Sequence, residues 1–188
     1  MGQTALLRTR RFFPLFLTQF LGAFNDNVLK NALIVWITFQ SSSVMGLSPE
    51  QAVVACGGVF IFPFFLFSAT AGQLADKYEK SKLIQITKIF EILLMCIAAV
   101  GFYYSWIGFL VAVLFLMGVQ AAFFGPLKFS ILPQHLMEEE LVSGNALIES
   151  GTFLAILVGM LCGASWISMK PAGPKVVALA VISISILG

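Results

Sequence analysis

The side chains able to do chemistry in this chain are few, and most of them sit inside apolar sequence. Asn25, Asp26, Asn27, Lys30 and Asn31 interrupt a run from Phe12 to Phe39 that is otherwise apolar and long enough to cross a bilayer. At mid-membrane an Asp or Lys costs roughly 2.5–3.5 kcal/mol each on the insertion scale, so each needs a protein or water partner there. At about 100° per residue, Gln19, Asp26, Asn27, Lys30, Asn31 and Thr38 fall on one side of a helix, with Gly22, Asn25, Leu29 and Trp36 on the other. Asp26 and Lys30 are four apart, acid first, which is the favourable order for an ion pair across one turn. Two readings follow: a self-neutralised pair packed between helices, or a face lining a hydrated substrate cavity. The usual role of intramembrane ionisable groups favours the cavity.

A second polar set lies in the fifth apolar run, where Asn145, Glu149 and Thr152 share one side. Glu149 is about six residues inside that run, roughly 9 Å deep, and reads as a cavity carboxylate or as a side chain snorkelling to the surface. On another side of the same run Gly151, Ala155, Gly159 and Gly163 recur every fourth residue, a seam that lets a neighbouring helix approach closely. Lys88 and Glu91, three apart in the third run, read as a structural pair with the lysine reaching toward the inner surface. Catalytic patterns are missing: the sequence holds no P-loop, dinucleotide fingerprint or Ser-His-Asp arrangement. Cys56, Cys96 and Cys162 are widely spaced in apolar surroundings and read as small hydrophobes, and the lone His135 makes a zinc site improbable.

The elements that must position these groups follow from composition. Of 188 residues, 59% are hydrophobic and only 11% charged, against roughly 45–50% and about 25% in soluble domains. The chain reads as an all-α integral membrane protein. Hydropathy places spans at about 12–39, 51–74, 83–104, 107–127 and 143–167, with a partial sixth at 176–188 that is short of the roughly 20 residues a span needs. The sixth therefore reads as the start of a helix belonging to a longer protein. Gly46 to Gln51 reads GLSPEQ, with Ser48 as N-cap, Pro49 at the first helical position and Gln51 completing a capping box. Gly118, Gly125 and Pro126 weaken the fourth span near its inner end.

Orientation comes from the basic residues beside the spans. Arg8, Arg10, Arg11, Lys77, Lys80, Lys82, Lys88 and Lys128 lie on one side and Lys170 and Lys175 on the other, which puts the N-terminus in the cytoplasm. A net charge of +2, placed at helix ends, gives no footprint for nucleic acid. Tyr103, Tyr104 and Trp106 supply an interfacial aromatic cluster at the outer surface.

The inner loop after the second span, GQLADKYEKSK from Gly72 to Lys82, resembles the signature G-x-L-A-D-R/K-x-G-R-K of the major facilitator superfamily, with Glu79 where that pattern has glycine. Gly72 is expected to permit close helix approach, Asp76 to face a helix N-terminus or a basic partner, and Lys80 to hold the loop at the surface. The set FLGAFNDN (Phe20–Asn27), GPLKFSILP (Gly125–Pro133) and NALIESGT (Asn145–Thr152) is similar to the lysophospholipid transporter family within that superfamily. The opening RRFFPLFLTQFLGAFNDNVLKNAL resembles in particular members fused to acyltransferase and acyl-carrier-protein synthetase domains.

The resemblance implies a transporter of two six-helix halves working by alternating access, of which this chain is the N-terminal half with its sixth helix truncated. It implies movement of lysophospholipid across the bacterial inner membrane for reacylation inside, with a C-terminal six-helix half, membrane lipids and fused acyltransferase domains as partners. The expected substrate contacts are Asp26, Asn27, Lys30, Asn31, Asn145 and Glu149. Asp26 or Glu149 would engage the ammonium of an ethanolamine headgroup and Lys30 its phosphate, with Phe-rich surfaces taking the acyl chain. Two other readings stay open on sequence: a proton-coupled transporter of another small solute, and a membrane anchor for a fused acyltransferase.

Overall fold

The computed structural model describes residues 3–39 and 46–188, and among these every regular element is helical. After a 3-10 turn at Gln3–Arg8 come α1 (Phe13–Thr38), α2 (Pro49–Lys77), α3 (Lys80–Tyr103) and α4 (Ile107–Ser130). A one-turn α5 (Leu132–His135) leads into α6 (Glu138–Ile167) and α7 (Gly173–Leu187). α2, α3, α6 and the stretch from Ile107 to His135 are long and apolar enough to cross a membrane. α1, at 26 residues, has the length but not the apolarity, because its central amides and charges dilute it.

Packing explains how α1 carries those groups. It lies among α6, α7, α2 and α4, with α6 its most extensive neighbour. The small-residue seam of α6 makes that contact: Gly151, Ala155, Gly159 and Gly163 are all buried. A β-carbon at Gly159 would stand 2.5 Å from the Phe24 carbonyl oxygen, and one at Gly163 would run into that of Val28. The seam thus brings α6 onto the backbone of α1, as its spacing predicts. Asn25, on the far side of α1, donates its amide to the Val181 carbonyl oxygen of α7 at 3.0 Å. Gly118 of α4 is pressed in the same way against the Phe60 carbonyl of α2.

The ends of the helices show how local sequence sets them. Ser48 accepts from the Gln51 N–H at 3.3 Å while Gln51 accepts from the Ser48 N–H at 3.0 Å, closing the expected capping box at the start of α2. Replacing Ser48 with Ala is expected to cost about 1 kcal/mol; an unchanged unfolding midpoint in detergent would contradict the cap. Tyr104 meets Tyr103 edge to face and stacks on Trp106, each at 5.2 Å between centroids, and all three are exposed at the α3–α4 turn. At the opposite end Arg11 pairs with Glu140 at 2.6 Å and donates to the His135 carbonyl, tying the start of α1 to α5 and α6.

Several expectations are corrected here. α4 keeps Gly125 and Pro126 inside its helix and extends past the expected end at 127 to Ser130. Gly72 brings no helix close, since a β-carbon there would meet nothing within 4 Å; the tight approach to α2 is made instead at Gly118. Asp76 is exposed and in no ion pair among the described residues, and the pair in its loop joins Lys82 to Glu79 at 2.9 Å. Lys80 opens α3 itself. All three cysteines are free, with Cys56 buried and Cys96 exposed on the outside of the bundle.

Candidate functional site

A cavity of about 280 Å³ opens beside α1, between α2, α4 and α6, with α3 reaching in from behind. α1 contributes Gln19, Gly22, Asp26, Asn27 and Lys30, which are spread over about three turns along one side. Gly22, expected on the oily side, belongs to this face because four residues back from Asp26 is only about 40° around the helix. Asn31 does not reach the cavity. It lies about 100° past Lys30 and spends its amide on the Asn27 carbonyl at 3.0 Å.

The expected Asp26–Lys30 ion pair is not formed; no such pair occurs among the described residues. Lys30 turns its ammonium over the Phe60 ring, 4.9 Å from the centroid, and Asp26 leaves a buried oxygen, Oδ1, without a donor. A cation over an aromatic face gains about 0.5–2 kcal/mol, enough to compete with an i,i+4 pair worth about 0.2–0.5 kcal/mol on a helix surface. Both charges are thereby left facing the same cavity.

Other helices supply the remaining polar wall. Lys128 of α4 stands 3.5 Å from Glu149 Oε1 and 3.4 Å from the Thr152 hydroxyl. That hydroxyl lies 2.9 Å from Gln19 Oε1 and 2.8 Å from its own helix's Ile148 carbonyl, so α1, α4 and α6 are joined through one polar chain. Lys128 and Thr152 line the cavity; Glu149 does not, and instead holds Lys128 from outside with its own side chain partly exposed. Asn145 is further off again. Seven residues toward the N-terminal end of α6 from Thr152, about 10 Å along the helix, it is exposed and donates to the Leu141 carbonyl.

The Lys88–Glu91 pair forms at 2.8 Å, but deep in the bundle rather than at the surface, with Lys88 9% exposed and Glu91 3%. Gln120 of α4 donates to the same Glu91 oxygen, Oε2, at 3.1 Å. Both Glu91 and Gln120 line the cavity, which no single-helix pattern could have revealed; the available signal was a polar residue deep in an apolar run at each position. Phe60, Phe64 and Phe124 complete the wall, and the first two also border an open apolar groove along α2 with Ile61 and Phe65. The site therefore presents unpaired charges of both signs beside an aromatic surface, the complement of an amphiphile with a dipolar head.

Comparison with known proteins bears on which amphiphile. Lysophospholipid transporter LplT of Photorhabdus laumondii is 29% identical over 157 residues, covering 84% of this chain and 36% of that protein. The protein of the same name from Yersinia pestis strain Pestoides F is 30% identical over 186 residues, covering 94% of this chain and 42% of its own length. That of Escherichia fergusonii is 30% identical over 145 residues, 77% of this chain and 34% of the relative. The chain thus spans well under two thirds of the curated relatives it matches. No family model matches the chain. No solved structure matches it either. Identity near 30% across most of an all-helical, multi-pass membrane chain makes it similar to the lysophospholipid transporters.

Proposed function

We propose that the full-length protein moves lysophospholipids across the bacterial inner membrane for reacylation on the cytoplasmic side. The observation that carries this reading is the unpaired Asp26 and Lys30 facing one cavity whose far wall is aromatic. A zwitterionic headgroup brings an ammonium for Asp26 and a phosphate for Lys30 and Lys128, while Phe60 and Phe64 lead its acyl chain into the apolar groove. The names of the relatives support the same substrate class.

In this reading the N-terminus is cytoplasmic, where the majority of basic residues fall. The bundle is the N-terminal half of a major facilitator superfamily transporter, and a C-terminal six-helix half closes the cavity from its open side. Alternating access then comes from one half rocking against the other around this midplane site. The loop of Gly72, Asp76 and Lys80 acts in that rocking at the inner surface, and a fused acyltransferase reacylates the delivered lipid.

The test is flux of labelled lysophospholipid across vesicles holding the full-length protein. Changing Lys30 and Lys128 together to Ala is expected to slow lysophosphatidylethanolamine and lysophosphatidylglycerol alike, by about tenfold or more, since both carry the phosphate. Equal transport of a monoacylglycerol, which has no phosphate, by the unmodified protein would overturn the reading.

A further inference from the structure

Three acceptor oxygens of residues lining this cavity have no donor among the described residues: Asp26 Oδ1, Asn27 Oδ1 and Glu91 Oε1. Asn27 is 6% exposed and Glu91 3%, so bulk water does not make good the deficit. A buried acceptor without a partner costs on the order of 1–3 kcal/mol, and three in one wall mark a place built for donors. Glu91 is the most telling of them. Its Oε2 is taken by Lys88 and Gln120, which fixes the carboxylate and leaves Oε1 over. Gly22 leaves only a thin cover between that buried pair and α1: a β-carbon at position 22 would stand 3.5 Å from Oε2, 3.6 Å from the Lys88 ammonium and 3.9 Å from Oε1.

We propose that Glu91, reached past Gly22, is a second acceptor for the primary ammonium of the ligand and sets a preference for amine-bearing headgroups. The proposal rests on the lysophospholipid reading above and adds a specificity residue to it. Charge balance decides between an ammonium on a zwitterion and a bare metal ion. Lys88 neutralises Glu91 and Lys128 neutralises Glu149, while Asp26 and Lys30 are opposite and unpaired, so the wall is already balanced. A zwitterion leaves it so; a sodium ion would bring an uncompensated charge into a poorly solvated site. A primary ammonium also offers N–H donors and no acceptor, the chemistry that oxygens lacking donors call for.

The experiment measures the ratio of lysophosphatidylethanolamine to lysophosphatidylglycerol flux in vesicles holding the full-length protein. Glu91→Gln is expected to lower that ratio about tenfold. Gly22→Ala is expected to lower it as well, by laying a methyl group over the pair, in ordinary contact with the carboxylate and the Lys88 ammonium, without removing either charge. A ratio unchanged in both variants overturns the proposal. So does a fall confined to Glu91→Gln, which would assign the residue to the framework through Lys88. Loss of both fluxes when sodium is exchanged for N-methylglucamine would give the oxygens to a metal ion, and equally overturn it. If the unmodified protein moves neither lipid, the lysophospholipid reading itself fails and this inference goes with it, an outcome distinct from equal loss of both fluxes in the variants.

Discussion

Asp26→Asn is expected to slow flux of lysophosphatidylethanolamine by about ten- to a hundredfold, the worth of one charge-assisted hydrogen bond of roughly 1.5–3 kcal/mol. Lysophosphatidylglycerol, which has no ammonium, should be far less affected. The substitution is nearly isosteric, and it strands no internal partner, because Lys30 lies over Phe60 rather than against Asp26. Had the two residues formed the pair expected from their spacing, the same change would have freed a lysine and disturbed both lipids. Flux of the two labelled lipids, measured side by side in vesicles, separates these cases. Equal loss for both would withdraw the ammonium from Asp26.

Gly163→Leu is expected to have the largest effect on stability. A β-carbon at this position already collides with the Val28 carbonyl, and backbone of α1 cannot swing away as a side-chain tip can. Overpacking a filled core typically costs about 1–3 kcal/mol; three further carbons against backbone put this change at the top of that range or above it. Because α6 is the most extensive neighbour of α1, separating them also disturbs the cavity wall between Gln19 and Thr152. The matching control is Gly58→Ala, where a β-carbon meets nothing within 4 Å, and there the expected change is within about 0.5 kcal/mol. Unfolding midpoints in detergent decide it. Equal midpoints for the two variants would mean that the α6 seam does not bear on α1.

Features written in one stretch of chain were legible in the sequence. The seam of α6, the capping box at Ser48 and the apolar α2, α3 and α6 each depend on residues near one another in number, so periodicity and capping rules reach them. The polar side of α1 was legible for the same reason, and Asp26, Asn27 and Lys30 do line one cavity. What failed was pairing. The i,i+4 rule describes a helix whose other faces meet water, whereas Lys30 meets an aromatic ring from α2. Glu91, Gln120 and Lys128 come from α3 and α4, and only the packing of the bundle sets them beside Asp26. Glu149 was read as a cavity carboxylate because its depth was right; its partner Lys128, on another helix, is what draws it aside. Gly72 was given a packing role that a glycine 46 positions later, Gly118, fulfils.

Binding a ligand in this cavity requires that the polar side of α1 be reachable from one aqueous phase. The direct measurement is labelling of Asn27→Cys by a small membrane-impermeant thiol reagent, in full-length protein whose native cysteines have been replaced. Labelling is expected from one side of the membrane, slowed by added lysophosphatidylethanolamine. A cysteine there that stays unlabelled while one at Asp76 in the exposed loop reacts fully would contradict it.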